Sequence, residues 1–178
     1  MRKLILAVLA CVGLSPLAHA ELNVFACEPE WGALASELGR NNVNVFTATT
    51  AQQDPHHVQA RPSLISRIRK ADLVVCTGAE LEIGWLPILI QRGSNARVQP
   101  GTPGYFEASN HVKMKDLPQR LDRSEGDVHP DGNPHIQTDP RNILLVAKAL
   151  GQRMAQIDPA HQSDYNRYTT DFVERWKA

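Results

Sequence analysis

From Glu21 onward, short apolar runs alternate with stretches whose apolar residues recur every three or four positions. Leu22 to Ala26 predicts a strand. Pro29 then stands where a first helical residue would, with Trp31, Leu34 and Leu38 along one face and Gly39 as the stop. Val43 to Thr47 is rich in β-branched residues and predicts a second strand, which runs into the polar loop Thr49 to His57. Pro62 opens another helix, whose Leu64, Ile65 and Ile68 face inward. Leu73 to Cys76 is a continuous apolar run of the kind buried on both faces of a parallel sheet. A helix over about Leu81 to Gln91 follows, interrupted by Gly84 and Pro87.

Parallel strand neighbours need a crossover, usually a helix, so this order predicts a doubly wound α/β fold with a mostly parallel sheet flanked by helices. Loops at the carboxyl ends of the strands then share one rim, where ligands bind in such sheets. Pro100 to Pro134 is rich in Gly, Pro, Asp and His; it reads as long irregular segments around a short strand near His111 to Met114. Long ordered loops are usually functional. Asp139-Pro140 begins a helix through Leu144, Leu145, Ala147, Leu150 and Met154. Asp158-Pro159 restarts it with Tyr165, Tyr168, Phe172 and Trp176. No internal repeat interrupts this order.

Ahead of Glu21, a positive start at Arg2 and Lys3, an apolar run from Leu4 to Leu14 and the tripeptide Ala18-His19-Ala20 predict a secretory signal peptide over residues 1–20. The run is too short to span a bilayer, which takes roughly 20 apolar residues, so the chain is not expected to be membrane-spanning. Cys11 admits a lipid-attachment reading, but almost no apolar segment would precede it. Cleavage leaves 158 of 178 residues, and loss of Arg2 and Lys3 takes Lys+Arg from 19 to 17 against 19 Asp+Glu. No basic patch stands out, so nucleic acid is excluded as a partner.

Four histidines fall in two proline-stiffened motifs: Asp54-Pro55-His56-His57, and Gly126 to His135 with His129 and His135. Imidazole suits zinc, copper, nickel and iron, and carboxylates extend the range towards manganese. A ring on a stiff loop loses less freedom on coordination. Solvated turn residues would show either motif alone; the two together point to a metal site. Asp127, His129, Asp131 and His135 also form an acid-and-histidine cluster of the kind that activates water in a metal-dependent hydrolase, although no nucleophile, separate base or oxyanion device accompanies it.

Asp54 to Ser63, Asn133-Pro134-His135 with Asp139-Pro140, and Ala71 to Val75 with Gly78 and Leu81-Glu82 together resemble the metal-specific solute-binding proteins of zinc and manganese ABC importers, the ZnuA-like family. The resemblance implies a periplasmic protein that captures a divalent cation, zinc ahead of manganese, and delivers it to an ABC permease in the inner membrane. It implies no covalent chemistry. His56 matches the first metal ligand and His135 the second. His57 and His129 match no ligand and are outer-sphere or surface candidates; adjacent side chains point apart, so only one of His56 and His57 readily faces an ion. Asp54, Asp127 and Asp139 are candidate partners for an outer imidazole nitrogen, with helix capping the better role for Asp139.

The family joins two α/β lobes by a long backbone helix, and its second lobe supplies further ligands. The resemblance therefore implies a first lobe over residues 21–158 and the start of the inter-lobe helix over 159–178. Cys27 and Cys76 both fall at strand ends on that rim. Buried free thiols are the expectation, with a disulfide and a thiolate ligand as alternatives, because nothing in the sequence fixes their separation.

Overall fold

The computed structural model describes residues 21–120 and 128–177. The signal-peptide reading and Asp127 therefore lie outside the described residues. Four strands form one all-parallel sheet: β1 (Leu22–Ala26), β2 (Val43–Thr47), β3 (Leu73–Cys76) and β4 (Tyr105–Glu107), in the order β2-β1-β3-β4. The order runs outward in both directions from the β1/β3 pair, which is the doubly wound pattern, with the switch between those two strands. Among the described residues five α-helices accompany it: α1 (Pro29–Gly39), α2 (Pro62–Lys70), α3 (Leu86–Gly93), α4 (Pro140–Ile157) and α5 (Gln162–Lys177).

Period-two alternation sorts the strand side chains between two cores. Leu22, Val24 and Ala26 of β1 and Leu73 and Val75 of β3 pack with Trp31, Leu38, Leu150 and Met154 on the α1/α4/α5 face. Phe25, Cys27, Val74 and Cys76 pack with Leu64, Ile68, Trp85 and Leu89 on the α2/α3 face. Both faces of β3 are buried, as its unbroken apolar run requires. α5 joins the first core through Tyr165, Phe172 and Val173. It lies close on α4: a Cβ at Gly151 would fall 2.0 Å from Thr169 Oγ1. No helix among the described residues is long and apolar enough to cross a membrane.

Three expectations about the helices and strands need correction. The stretch from Leu81 does not start a helix; Gly78, Ala79 and Glu80 all take positive φ, and α3 begins only at Leu86 with Pro87 in its first turn. The Glu82 carboxylate accepts the backbone N–H of Thr77 (2.8 Å) and Gly78 (3.1 Å), folding this segment into a tight turn. The fourth strand lies at Tyr105–Glu107 rather than His111–Met114; Ala108–His111 is a 3-10 turn whose His111 ring stacks on Phe106. On α4 the buried stripe runs through Val146 rather than Leu145, which is 47% exposed. Trp176 is 45% exposed, although it stacks on Phe172 and its indole N–H donates to Pro140 O.

The cysteines are bonded to each other, against the expectation of free thiols: Cys27 and Cys76 form a disulfide with Cα atoms 4.8 Å apart. Ala26 pairs with Val75 in the parallel register, and the next residue of each strand carries the sulfur. The bond thus ties the carboxyl ends of β1 and β3 at the switch.

Candidate metal centre

Each loop at the carboxyl rim leaves a different strand. The β2-to-α2 loop carries Asp54, His56 and His57, and the long segment from β4 to α4 carries His129 and His135. In the first loop the Asp54 carboxylate organises everything nearby. Its Oδ1 accepts the backbone N–H of His56 (2.9 Å) and lies 2.7 Å from His56 Nδ1, while its Oδ2 lies 3.1 Å from His57 Nδ1. These bonds, the His56 backbone N–H first, hold the Asp54 carboxyl well below the usual carboxylate range. His56 is turned inward at 17% side-chain exposure and His57 outward at 72%.

With Nδ1 directed at Asp54, His56 presents Nε2 to its other neighbours. That atom lies 3.0 Å from His129 Nε2, and the His135 ring stands edge-on with its centroid 5.8 Å from that of His56. All three histidines line one cavity of about 420 Å³, bordered by Asp116, Pro118 and Asn133. Residues 56 and 135, far apart in sequence, therefore share one rim. Asp139 stands apart from the rings: it caps α4 through Arg141 N (3.1 Å) and pairs with Lys115 and Arg141. Those partners, Arg141 first, keep its carboxyl well below the ordinary range.

Trp85 and Gly84 support the His56 loop. The fully buried Trp85 donates its indole N–H to Pro55 O at 2.8 Å. Gly84 runs so close that a Cβ there would stand 3.2 Å from His56 O. Neither residue type nor spacing signals this support, because it depends on the turn that Glu82 closes.

Among the described residues, the three donors lying within 4.8 Å of one another are Cys27, Cys76 and Glu82. Sulfurs joined in a disulfide are not thiolate ligands, so these residues do not form a metal site in this state. The disulfide lies instead beside a buried acid pair that includes Glu82. Glu28 and Glu82 are each 3% exposed, Thr77 Oγ1 donates to Glu28 at 3.2 Å, and Trp31 donates to Thr77 at 2.7 Å. Burial, and then the Glu82 charge, push the Glu28 carboxyl up to about 10; burial pushes Glu82 up to about 7. Both folded values exceed the usual carboxylate pKa near 4.3. The stability linked to these protons is thus full below that pKa and is lost as pH rises through the folded values. Glu28→Gln cannot ionise, so at pH 8 it is expected to melt above the parent by the equivalent of at least about 1 kcal/mol, roughly one pKa unit. At pH 4.5 the two should melt together. Parallel melting curves across this range would contradict the raised Glu28 carboxyl.

The profile of the family described as "Zinc-uptake complex component A periplasmic", ZnuA, matches residues 24–178. The chain belongs to the ZnuA family. Its curated relatives include the metal ABC transporter substrate-binding lipoprotein ScbA of Streptococcus cristatus, 24% identical over 99% of this chain and 58% of the relative. SloC of Streptococcus mutans, a protein of the same description, is 26% identical over 94% of this chain and 55% of its own length. A crystal structure of ZnuA superposes with a TM-score of 0.71 at 17% identity, covering 89% of this chain and 55% of that one. The Mn-bound periplasmic metal-binding protein of Candidatus Liberibacter asiaticus gives 0.69 at 19%, covering 87% and 53%. At such identity the structural likeness shows a shared ZnuA fold alone. The chain spans little more than half the length of these relatives.

Proposed function

We propose that this chain captures a divalent metal ion outside the cytoplasm, as the substrate-binding component of an ABC importer, and hands it to a permease in the membrane. The observation that carries the reading is the meeting of His56 with the His129–His135 segment at the carboxyl rim, with Asp54 on the outer nitrogen of His56. A metal-bound histidine normally gives its second ring N–H to a carboxylate, which fixes the tautomer and strengthens the donor. His56 and His135 are the ligands in this reading, and His57 and Asp139 take no part in binding the ion. An all-imidazole donor set favours zinc over manganese. The relatives' names support a metal cargo and the permease partner, and their extracytoplasmic setting fits a periplasmic location. The length of those relatives supports residues 21–158 as a first lobe, with the last helix leading towards a second.

The alternative of a metal-dependent hydrolase built on Asp127, His129 and His135 finds no support among the relatives, which are described as transport proteins. Asp139, offered in sequence as a partner for an imidazole, is engaged by Lys115 and Arg141 instead.

The test is metal titration of the purified chain. One zinc ion per chain should bind reversibly at neutral pH, and affinity should fall in acid, where protons compete for imidazole nitrogen. Asp54→Ala should weaken binding about 10- to 100-fold, the usual cost of losing an outer partner. Failure to take up zinc or manganese, or affinity indifferent to pH, would remove the proposal.

A further inference from the structure

In the family pattern His129 is not a ligand, yet its ring stands nearer to that of His56 than the rings of His135 and His57 do. The two rings meet nitrogen to nitrogen, Nε2 to Nε2 at 3.0 Å, with centroids 5.1 Å apart and planes inclined by 37°. When the proton on His56 sits at Nδ1, facing Asp54, its Nε2 carries a lone pair. A hydrogen bond across this contact then requires the proton to reside on Nε2 of His129. A cation takes the place of that proton and accepts a lone pair from each ring. Bonds of about 2.0–2.1 Å to a tetrahedral ion hold two donors roughly 3.3 Å apart, so the rings need part only slightly.

The backbone under His129 is built to hold this position. Gly132 N–H donates to His129 O at 3.2 Å, closing a turn that the chain leaves through the positive φ of Gly132. A Cβ there would fall 2.5 Å from Lys115 O, the same carbonyl that accepts Asn133 N–H at 2.8 Å. Asn133 Oδ1 in turn accepts the His135 N–H at 3.0 Å, and its Nδ2 donates to Asp116 at 3.1 Å. One braced turn therefore carries both histidines towards His56. The His135 ring stands edge-on to His56 with its centroid 5.8 Å away, on the wall of the same cavity.

We propose that His129 is a third metal ligand, giving this chain a three-imidazole cradle for a zinc-class cation. The proposal rests on the reading of His56 and His135 as ligands. Three protein nitrogens and a water make up the open tetrahedral arrangement of zinc sites. Manganese prefers oxygen donors and gains little from the added imidazole. His129 is thus the residue in this chain that sets the preference for zinc.

The test compares zinc and manganese affinities of the purified chain with those of His129→Ala and His56→Ala, alongside the visible absorption of the cobalt-loaded forms. His129→Ala should weaken zinc binding by about tenfold or more, move manganese affinity by less than roughly threefold, and reduce the intense cobalt bands of a tetrahedral site. In the parent chain the His129 Nε2 resonance should shift on adding zinc. Unchanged zinc affinity and cobalt spectrum in His129→Ala, with binding lost in His56→Ala, would overturn the proposal and leave the original reading intact. Unchanged binding in His56→Ala would overturn both.

Discussion

Replacing Cys27 and Cys76 together with alanine is expected to lower the melting temperature by roughly 8–16 °C. The bond closes a loop of 49 residues between the two central strands. The loop-entropy relation gives about 4 kcal/mol for a loop of that size, and a domain of this length loses roughly 2–4 °C per kcal/mol. Both sulfurs are fully buried at the switch between β1 and β3, so the double variant also leaves small voids, which add to the loss. The measurement is thermal melting of the variant beside the oxidised parent, and of the parent reduced and alkylated while unfolded. A parent that melts within about 2 °C of its reduced form would mean that the bond contributes little to the folded state.

The cysteine bond also shows where the sequence stops speaking. Both residues could be put at strand ends from the apolar runs alone, but their separation depends on β1 and β3 being neighbours with Ala26 opposite Val75. Three strands could be bounded from the chain because each is an apolar or alternating run closed by turn residues. β4 could not, since three residues with one fully buried side chain, Phe106, become a strand only by pairing with Val74 to Cys76. On α4, Leu145 and Val146 are equally apolar, and the packing of α1 and α5 decides which of them is covered. The same division holds at the rim. Proline-stiffened motifs single out four histidines, the family resemblance implies His56 and His135 as the ligands among them, and Asp54 two residues before His56 is a natural partner for its ring. The approach of His129 was not legible, because it rests on the turn at Gly132 and the brace at Lys115. Trp85 gave no signal either, since an indole that holds a distant carbonyl looks in sequence like any core tryptophan.

His56→Ala is expected to weaken zinc binding by more than about 100-fold, the largest single-residue effect on affinity. Even outer partners of a metal-bound histidine typically cost roughly 10–100-fold when removed, and His56 stands at the centre of the cluster. It bridges the two segments of the rim: Asp54 on its Nδ1 side belongs to its own loop, while His129 at Nε2 and His135 edge-on belong to the other. Removing its ring leaves the braced turn with its own two imidazoles and takes away the imidazole they meet across the cavity. His57 supplies the matching control, being adjacent in sequence, bonded to the same carboxylate and 72% exposed. His57→Ala should therefore change zinc affinity by no more than roughly twofold, and neither substitution should move the melting temperature of the metal-free chain by much more than about 0.5 kcal/mol of stability, as expected for loop positions away from the core. Competition with a chromophoric chelator reads both variants in one experiment. Equal loss in the two would mean that Asp54 and its loop respond as a whole and that His56 holds no privileged place. Loss confined to His56→Ala ties capture to the one ring that faces both sides of the cavity.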